Sequence, residues 1–305
     1  MSNKSMIDKI LDIKIMSQAD CYKDKKLSEV CTFRVGGAAD YVVYPKSVET
    51  LILLIDKLKE KNIKYCLLGN ASNVLFSDNG FSGVVIFTSK LDNILIKGST
   101  LNVECGASLT HAAVVAQRNG LSGLEFAYGI PGTCGGAVYM NAGAYGGEMK
   151  DTVESSIYYM TDHKIIDRLM NVQHYFDYRE SFYSKNENYI ILSVNLQLTY
   201  DDPENIKKKM DGFMARRVDK QPLQYPSAGS VFKRYPGHYT GKLIEDAGLK
   251  GLTVGGAQVS EKHAGFIINR GGASAADILK LIDIIKEKIY NLYNIKIECE
   301  IKYIE

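Results

Sequence analysis

Glycine is unevenly spread along this chain. Nine of its 27 glycines fall between Gly120 and Gly147 and ten between Gly229 and Gly272, against six prolines in 305 residues. A residue without Cβ reaches positive φ at little cost and lets the backbone approach a neighbour or a ligand, so these stretches read as tight turns or ligand-facing loops. The rest of the chain has ample means to fold: at 46% apolar residues it supports two or three domains, each with its own core. That hydrophobicity excludes a disordered chain. A net charge of +2, from 37 basic and 35 acidic residues, argues against a nucleic-acid sleeve.

From Met1 to Val30, Lys and Asp interrupt every short apolar run, which leaves no signal-peptide core. No window approaches the ~18 uncharged apolar residues of a membrane span, so a cytoplasmic protein without membrane insertion is expected. Cys21, Cys31, Cys66, Cys105, Cys134 and Cys299 form no C-x-x-C pair and have no His at metal spacing. They read as reduced, buried thiols, and no metal site is expected.

Ser47 opens a helical pattern with Val48, Leu51, Ile52, Ile55 and Leu58, followed by a strand at Tyr65–Leu68. Strands are expected at Val84–Thr88 and Leu101–Cys105, and a helix from Ser108 to Gly120. Val153 to Tyr200 turns to β pattern. A helix from about Pro203 to Val218 carries Lys207, Lys208 and Lys209, which read as a solvated face. Ser274 caps a last helix with Asp277 three residues on. The tail from Ile295 to Ile304 alternates with period two and predicts a strand with Glu298 and Glu300 on one side.

Two loops carry the chemistry: Gly69-Asn70-Ala71-Ser72-Asn73-Val74-Leu75, after a strand, and Gly129-Ile130-Pro131-Gly132-Thr133-Cys134-Gly135-Gly136, followed by Asn141-Ala142-Gly143-Ala144-Tyr145-Gly146. Converging backbone N–H groups and short Asn, Ser and Thr donors suit a pyrophosphate. Neither loop is a Rossmann G-x-G-x-x-G or a Walker sequence. Composition alone leaves open that both are turn-rich loops without a ligand.

Thr32-Phe33-Arg34-Val35-Gly36-Gly37, the two loops, Tyr178-Arg179-Glu180-Ser181-Phe182, Lys220-Gln221-Pro222, Pro226-Ser227-Ala228-Gly229-Ser230-Val231-Phe232-Lys233 and Val259-Ser260-Glu261-Lys262-His263-Ala264-Gly265-Phe266 together resemble the UDP-N-acetylenolpyruvoylglucosamine reductase family, in order and over nearly the whole chain. The resemblance implies an α+β fold: a two-part FAD-binding region like that of vanillyl-alcohol-oxidase-type flavoproteins plus an α/β substrate-binding domain. The expected divisions are 1–90 and 91–205 for the two FAD-binding subdomains, with a strand from 295–305 joining the first, and 206–294 for the substrate domain. It also implies NADPH as hydride donor and UDP-N-acetylglucosamine enolpyruvate as acceptor in peptidoglycan precursor synthesis.

Residue by residue, the resemblance implies FAD contacts for Arg34, for Gly69, Asn70, Ser72, Asn73, Val74 and Leu75, and for Gly129, Pro131, Gly132, Thr133, Gly135, Gly136, Asn141 and Gly143. Arg179 is implied to grip the substrate carboxylate, Ser230 to give a proton to C2 after hydride reaches C3, and Glu300 to act with the arginine. Lys220, Lys233 and Arg234 are implied near the UDP diphosphate, Arg234 standing where the family commonly has Asn. His263 reads as support for the fold. Only 51 positions separate Arg179 from Ser230, which matches the shorter branch of the family without an extra tyrosine-bearing loop. Two rivals are another flavoprotein oxidase of the same fold, which usually carries a His or Cys for covalent flavin, and a UDP-sugar-binding module without chemistry.

Overall fold

Several helix starts rest on side-chain caps, three of them at serines. Ser47 accepts from the Thr50 N–H, Ser108 from His111 and Ser274 from Asp277. Each cap satisfies a backbone donor that the first helical turn leaves unpaired. The computed structural model describes residues 3–305, so the first two residues of the first expected FAD-binding subdomain lie outside the described residues. The chain divides into two units, each assembled from three segments.

The first unit comprises the residues through Tyr22, Tyr41–Asn70 and Gly83–Arg217. Within it, residues 19–22, 41–45, 83–87 and 65–68 lie side by side in that order in one sheet, and a five-stranded sheet runs in the order Ile165–Met170, Val153–Met160, Tyr189–Gln197, Thr100–Glu104, Ile94–Lys97. Tyr65–Leu68 pairs parallel with Val84–Phe87, whereas the five-stranded sheet is antiparallel throughout. Helix Val48–Glu60 buries Leu51, Leu54, Ile55 and Leu58, a stripe at helical spacing that joins the core.

The second unit comprises Lys23–Asp40, Ala71–Ser82 and Val218–Glu305. Thr253–Val254, Ala257–Val259 and Ile267–Asn269 form a three-stranded antiparallel sheet. The long helix Ala275–Tyr293 buries Ile278, Leu281, Ile282, Ile285 and Ile289. Its first turn donates to Asp78, from Ala275 N at 2.8 Å and Ala276 N at 3.0 Å, in addition to the Ser274/Asp277 capping box.

The tail departs from its expected single strand. Only Lys302–Ile304 is a strand, paired parallel with Val74–Phe76. Upstream, Cys299 bridges Phe232, and the chain bends at Glu300 and Ile301. Two partners in succession, 231–233 and then 74–76, break the period. Glu298 is therefore 76% exposed beside Lys233, whereas Glu300 is half-buried, and the two carboxylates are in different environments.

Candidate functional site

In the first unit the start of the first glycine loop, Gly69 and Asn70, meets the second glycine loop. A Cβ on Gly69 would lie 2.2 Å from Thr133 Oγ1, so only glycine fits where the strand Tyr65–Leu68 ends. Thr133 in turn accepts from Gly136 N at 3.2 Å and caps the short helix Cys134–Tyr139. Asn70 Nδ2 donates to the Pro131 carbonyl at 3.2 Å, and Leu109 N donates to the Gly132 carbonyl at 3.0 Å. Gly129 N donates to Thr110 Oγ1. Gly135 acts differently. Its N–H donates to the Cys105 carbonyl at 2.8 Å, and a Cβ there would meet Cys105 Cβ at 2.7 Å. Its missing side chain serves helix–strand packing. Burial pushes the Cys134 thiol up to about 12, so it is not a thiolate at neutral pH.

Asn141 is fully buried and left-handed, with φ of +44°. Its Nδ2 donates to Glu148 Oε2 at 2.6 Å and to the Asp177 carbonyl at 3.0 Å, while Oδ1 accepts from Lys150 N at 3.0 Å. The amide thus clasps the Asp177–Glu180 turn to the glycine loop. Ser181 Oγ adds a bond to the Tyr139 carbonyl at 2.7 Å, and Arg179 Nη2 one to the Gly143 carbonyl at 3.1 Å. Arg179 occupies the turn at φ +59°, a conformation that costs a non-glycine residue free energy and is held here by these clasps. Asn141→Ala removes three hydrogen bonds and is expected to destabilise the protein by on the order of 2–4 kcal/mol in urea unfolding. A change below about 0.5 kcal/mol, the range of ordinary surface substitutions, would contradict the clasp.

Tyr145 stacks on Phe213 with ring centroids 4.8 Å apart, and the Arg216 and Arg217 guanidinium carbons lie 4.8 and 5.6 Å from its ring centroid. Sequence reading passed over this cluster, although Phe213, Arg216 and Arg217 have the i, i+3, i+4 spacing of one helix face. The helix Pro203–Lys220 is therefore not solvated all round. Lys207 pairs with Asp211 in solvent, but Arg217 is buried.

In the second unit, Asn269 Nδ2 holds the carbonyls of Phe33 and Arg34 at 3.2 and 3.3 Å, and Arg34 has φ of +55°. Thr32 N donates to the Ala71 carbonyl, so the Thr32–Gly37 segment runs beside the Ala71–Leu75 loop. Ser72 is half-buried there, and Val74 and Leu75 are buried in a strand. Asn73 Nδ2 donates to the Glu300 carbonyl at 3.2 Å, and Lys302 N donates back to the Asn73 carbonyl at 3.1 Å. Glu300 N donates to the Val231 carbonyl at 2.7 Å, which brings Glu300 to the residue after Ser230.

Ser230 opens on a cavity of about 420 Å³ whose lining includes Lys220, Arg234, Lys262, Tyr239 and His263. The Arg234 guanidinium lies over the Tyr239 ring at 4.9 Å. Lys233 is not part of the lining; its ammonium lies 3.5 Å from Glu298. Lys262 and His263 contribute to the lining although sequence reading named neither as a binding residue. The signal that could have found them was the segment 259–266, which carries part of the family resemblance.

Among the described residues no cluster of three or more His, Cys, Asp or Glu is arranged to hold a metal, and no helix is long and apolar enough to cross a membrane.

Residues 39–165 match the family described as FAD binding domain, and residues 221–304 match UDP-N-acetylenolpyruvoylglucosamine reductase, C-terminal domain. A UDP-N-acetylenolpyruvoylglucosamine reductase of Caldicellulosiruptor bescii is 48% identical over 290 residues, covering 92% of this chain and 90% of that protein. One of Clostridioides difficile is 45% identical over 303 residues, covering 99% and 98%. The crystal structure of UDP-N-acetylenolpyruvylglucosamine reductase from Thermus caldophilus superposes with a TM-score of 0.80 at 32% identity, over 94% of this chain and 99% of that one.

The residues present fit FAD. Gly69–Leu75 and Gly129–Gly136 contain no carboxylate that would repel a diphosphate. Thr32 Oγ1 is buried beside the first loop without a hydrogen-bond partner, a polar atom left for a bound group to satisfy. The fold is α+β, as expected, and by sequence, family match and structure the chain belongs to the UDP-N-acetylenolpyruvoylglucosamine reductase family and is an FAD-dependent oxidoreductase.

Proposed function

We propose that this protein reduces UDP-N-acetylglucosamine enolpyruvate to UDP-N-acetylmuramate with NADPH, in the cytoplasm, during peptidoglycan precursor synthesis. The observation that carries the reading is the cationic cavity at Ser230, whose Lys220, Arg234 and Lys262 suit a nucleotide diphosphate. FAD, when bound, supplies two-electron chemistry, taking hydride from NADPH and passing it to substrate C3.

The protein's own residues handle the charge and the proton. Hydride at C3 leaves an electron pair on C2, delocalised into the adjacent carboxylate. Arg179 binds that carboxylate and stabilises the charge arriving on it. Ser230 Oγ–H gives its proton to C2, which completes addition of H⁻ and H⁺ across the double bond, and the serine regains a proton from solvent through the cavity. Glu300, in its neutral acid form, donates a hydrogen bond to the same carboxylate. Asn70, Ser72 and Thr133 hold the cofactor diphosphate, with Arg34, Asn73 and the other loop residues shaping that cradle.

NADPH and the UDP-sugar need the same reactive ring, so they must alternate. Initial rates with both substrates varied are expected to give parallel double-reciprocal lines. Intersecting lines, or a protein that stays colourless after FAD addition, would overturn the reading.

A further inference from the structure

We propose that His263 is a positioning residue for Ser230, acting through the peptide of Gly265. The proposal rests on the reading of Ser230 as proton donor. Gly265 N donates to His263 Nδ1 at 3.1 Å, and the Gly265 carbonyl accepts from Val231 N at 2.8 Å. Phe266 pairs across from Ser230 in an antiparallel bridge. One face of the 265–266 backbone is thus tied to the imidazole and the other to the serine segment.

The ring is held from several sides. His263 N donates to Ser260 Oγ at 3.3 Å, its carbonyl accepts from Phe266 N at 2.9 Å, and its ring meets the Phe266 ring edge-on at 4.9 Å. A Cβ on Gly241 would lie 3.3 Å from His263 Cε1, so the helix Thr240–Asp246 closes over the imidazole.

Because Nδ1 is the acceptor, the ring does this work only when neutral, with its proton on Nε2. Burial lowers the His263 pKa, and the charged groups around it pull both ways, Lys250 lowering it and Glu245 raising it. Lys220, Lys242, Lys262 and Arg234 line the same cavity. Protonation in the folded state therefore falls below the ordinary histidine range, and the acceptor is lost as pH drops through that lowered value.

The test uses FAD-loaded protein, reduced anaerobically with NADPH and re-oxidised by UDP-N-acetylglucosamine enolpyruvate over about pH 5–8. His263→Asn places Oδ1 near the Nδ1 position and keeps the acceptor; His263→Gln does not. Re-oxidation by the native protein is expected to fall on the acid side, below the ordinary histidine pKa. His263→Asn is expected to keep the neutral-pH rate and lose that acid limb, whereas His263→Gln loses about 10–100-fold at every pH. Flavin reduction by NADPH is followed in parallel in all three, so that a loss in re-oxidation is read relative to it. Imidazole nitrogen NMR of the native protein is expected to show an unprotonated Nδ1 that titrates together with the acid limb.

Equal losses in the Asn and Gln variants, an acid limb that persists in His263→Asn, or a protonated Nδ1 at neutral pH would overturn the proposal. In a Ser230→Ala background His263→Gln is expected to add nothing, and a further loss there would also overturn it. Re-oxidation untouched by Ser230→Ala alone would instead bring down the proton-donor reading, and this proposal with it.

Discussion

Ser230→Ala is expected to leave flavin reduction by NADPH intact and to slow re-oxidation by UDP-N-acetylglucosamine enolpyruvate by about 10²–10⁴-fold. Under the proposed mechanism this hydroxyl supplies the proton for C2, and it belongs to neither glycine loop. Ser230 lies instead on the cavity wall of the second unit, next to the Val231 carbonyl that Glu300 N grips at 2.7 Å. FAD content is therefore expected to equal that of the native protein. Stopped-flow absorbance of each half-reaction separates the two steps. Equal slowing of both, or loss of FAD, would remove the proton-donor assignment.

Arg179→Ala is expected to slow re-oxidation by about 10²–10³-fold, again without slowing reduction by NADPH. The charge on the enolpyruvyl carboxylate rises as hydride arrives, so an arginine aimed there stabilises the transition state more than bound substrate. Its aim is built by the left-handed turn at φ +59°, the Asn141 clasp at 3.0 Å and the bond to the Gly143 carbonyl at 3.1 Å. Lysine keeps the charge but not the planar two-pronged geometry, so Arg179→Lys is expected to recover little of the rate. Native-like re-oxidation in Arg179→Lys would show that charge alone suffices and that the turn's geometry is irrelevant.

What the sequence revealed depended on how local the physics was. Ser47, Ser108 and Ser274 were legible as helix starts because a cap involves only the next three residues. Composition flagged the glycine loops but not their meeting, because the contact that requires Gly69, against Thr133 in the second loop, is tertiary. The tail was legible only partially. Period two cannot foresee that residues 298–300 run along 231–233 while 302–304 join Val74–Phe76. Asn141 looks like a cofactor donor in a glycine-rich motif, yet Glu148, Asp177 and Lys150 engage its amide from a distance in sequence that no spacing rule encodes. The same holds for His263, whose bond to Gly265 is local but whose link to Val231 is tertiary.

The central claim is that one protein-bound flavin carries hydride from NADPH to the enolpyruvyl double bond. Its most direct measurement is the visible flavin band of the FAD-loaded protein in an anaerobic cuvette. One equivalent of NADPH should bleach the band fully with no acceptor present, and one equivalent of UDP-N-acetylglucosamine enolpyruvate should then restore it, yielding one UDP-N-acetylmuramate per flavin. A band that returns only when oxygen is admitted, or that NADPH fails to bleach, would contradict the account.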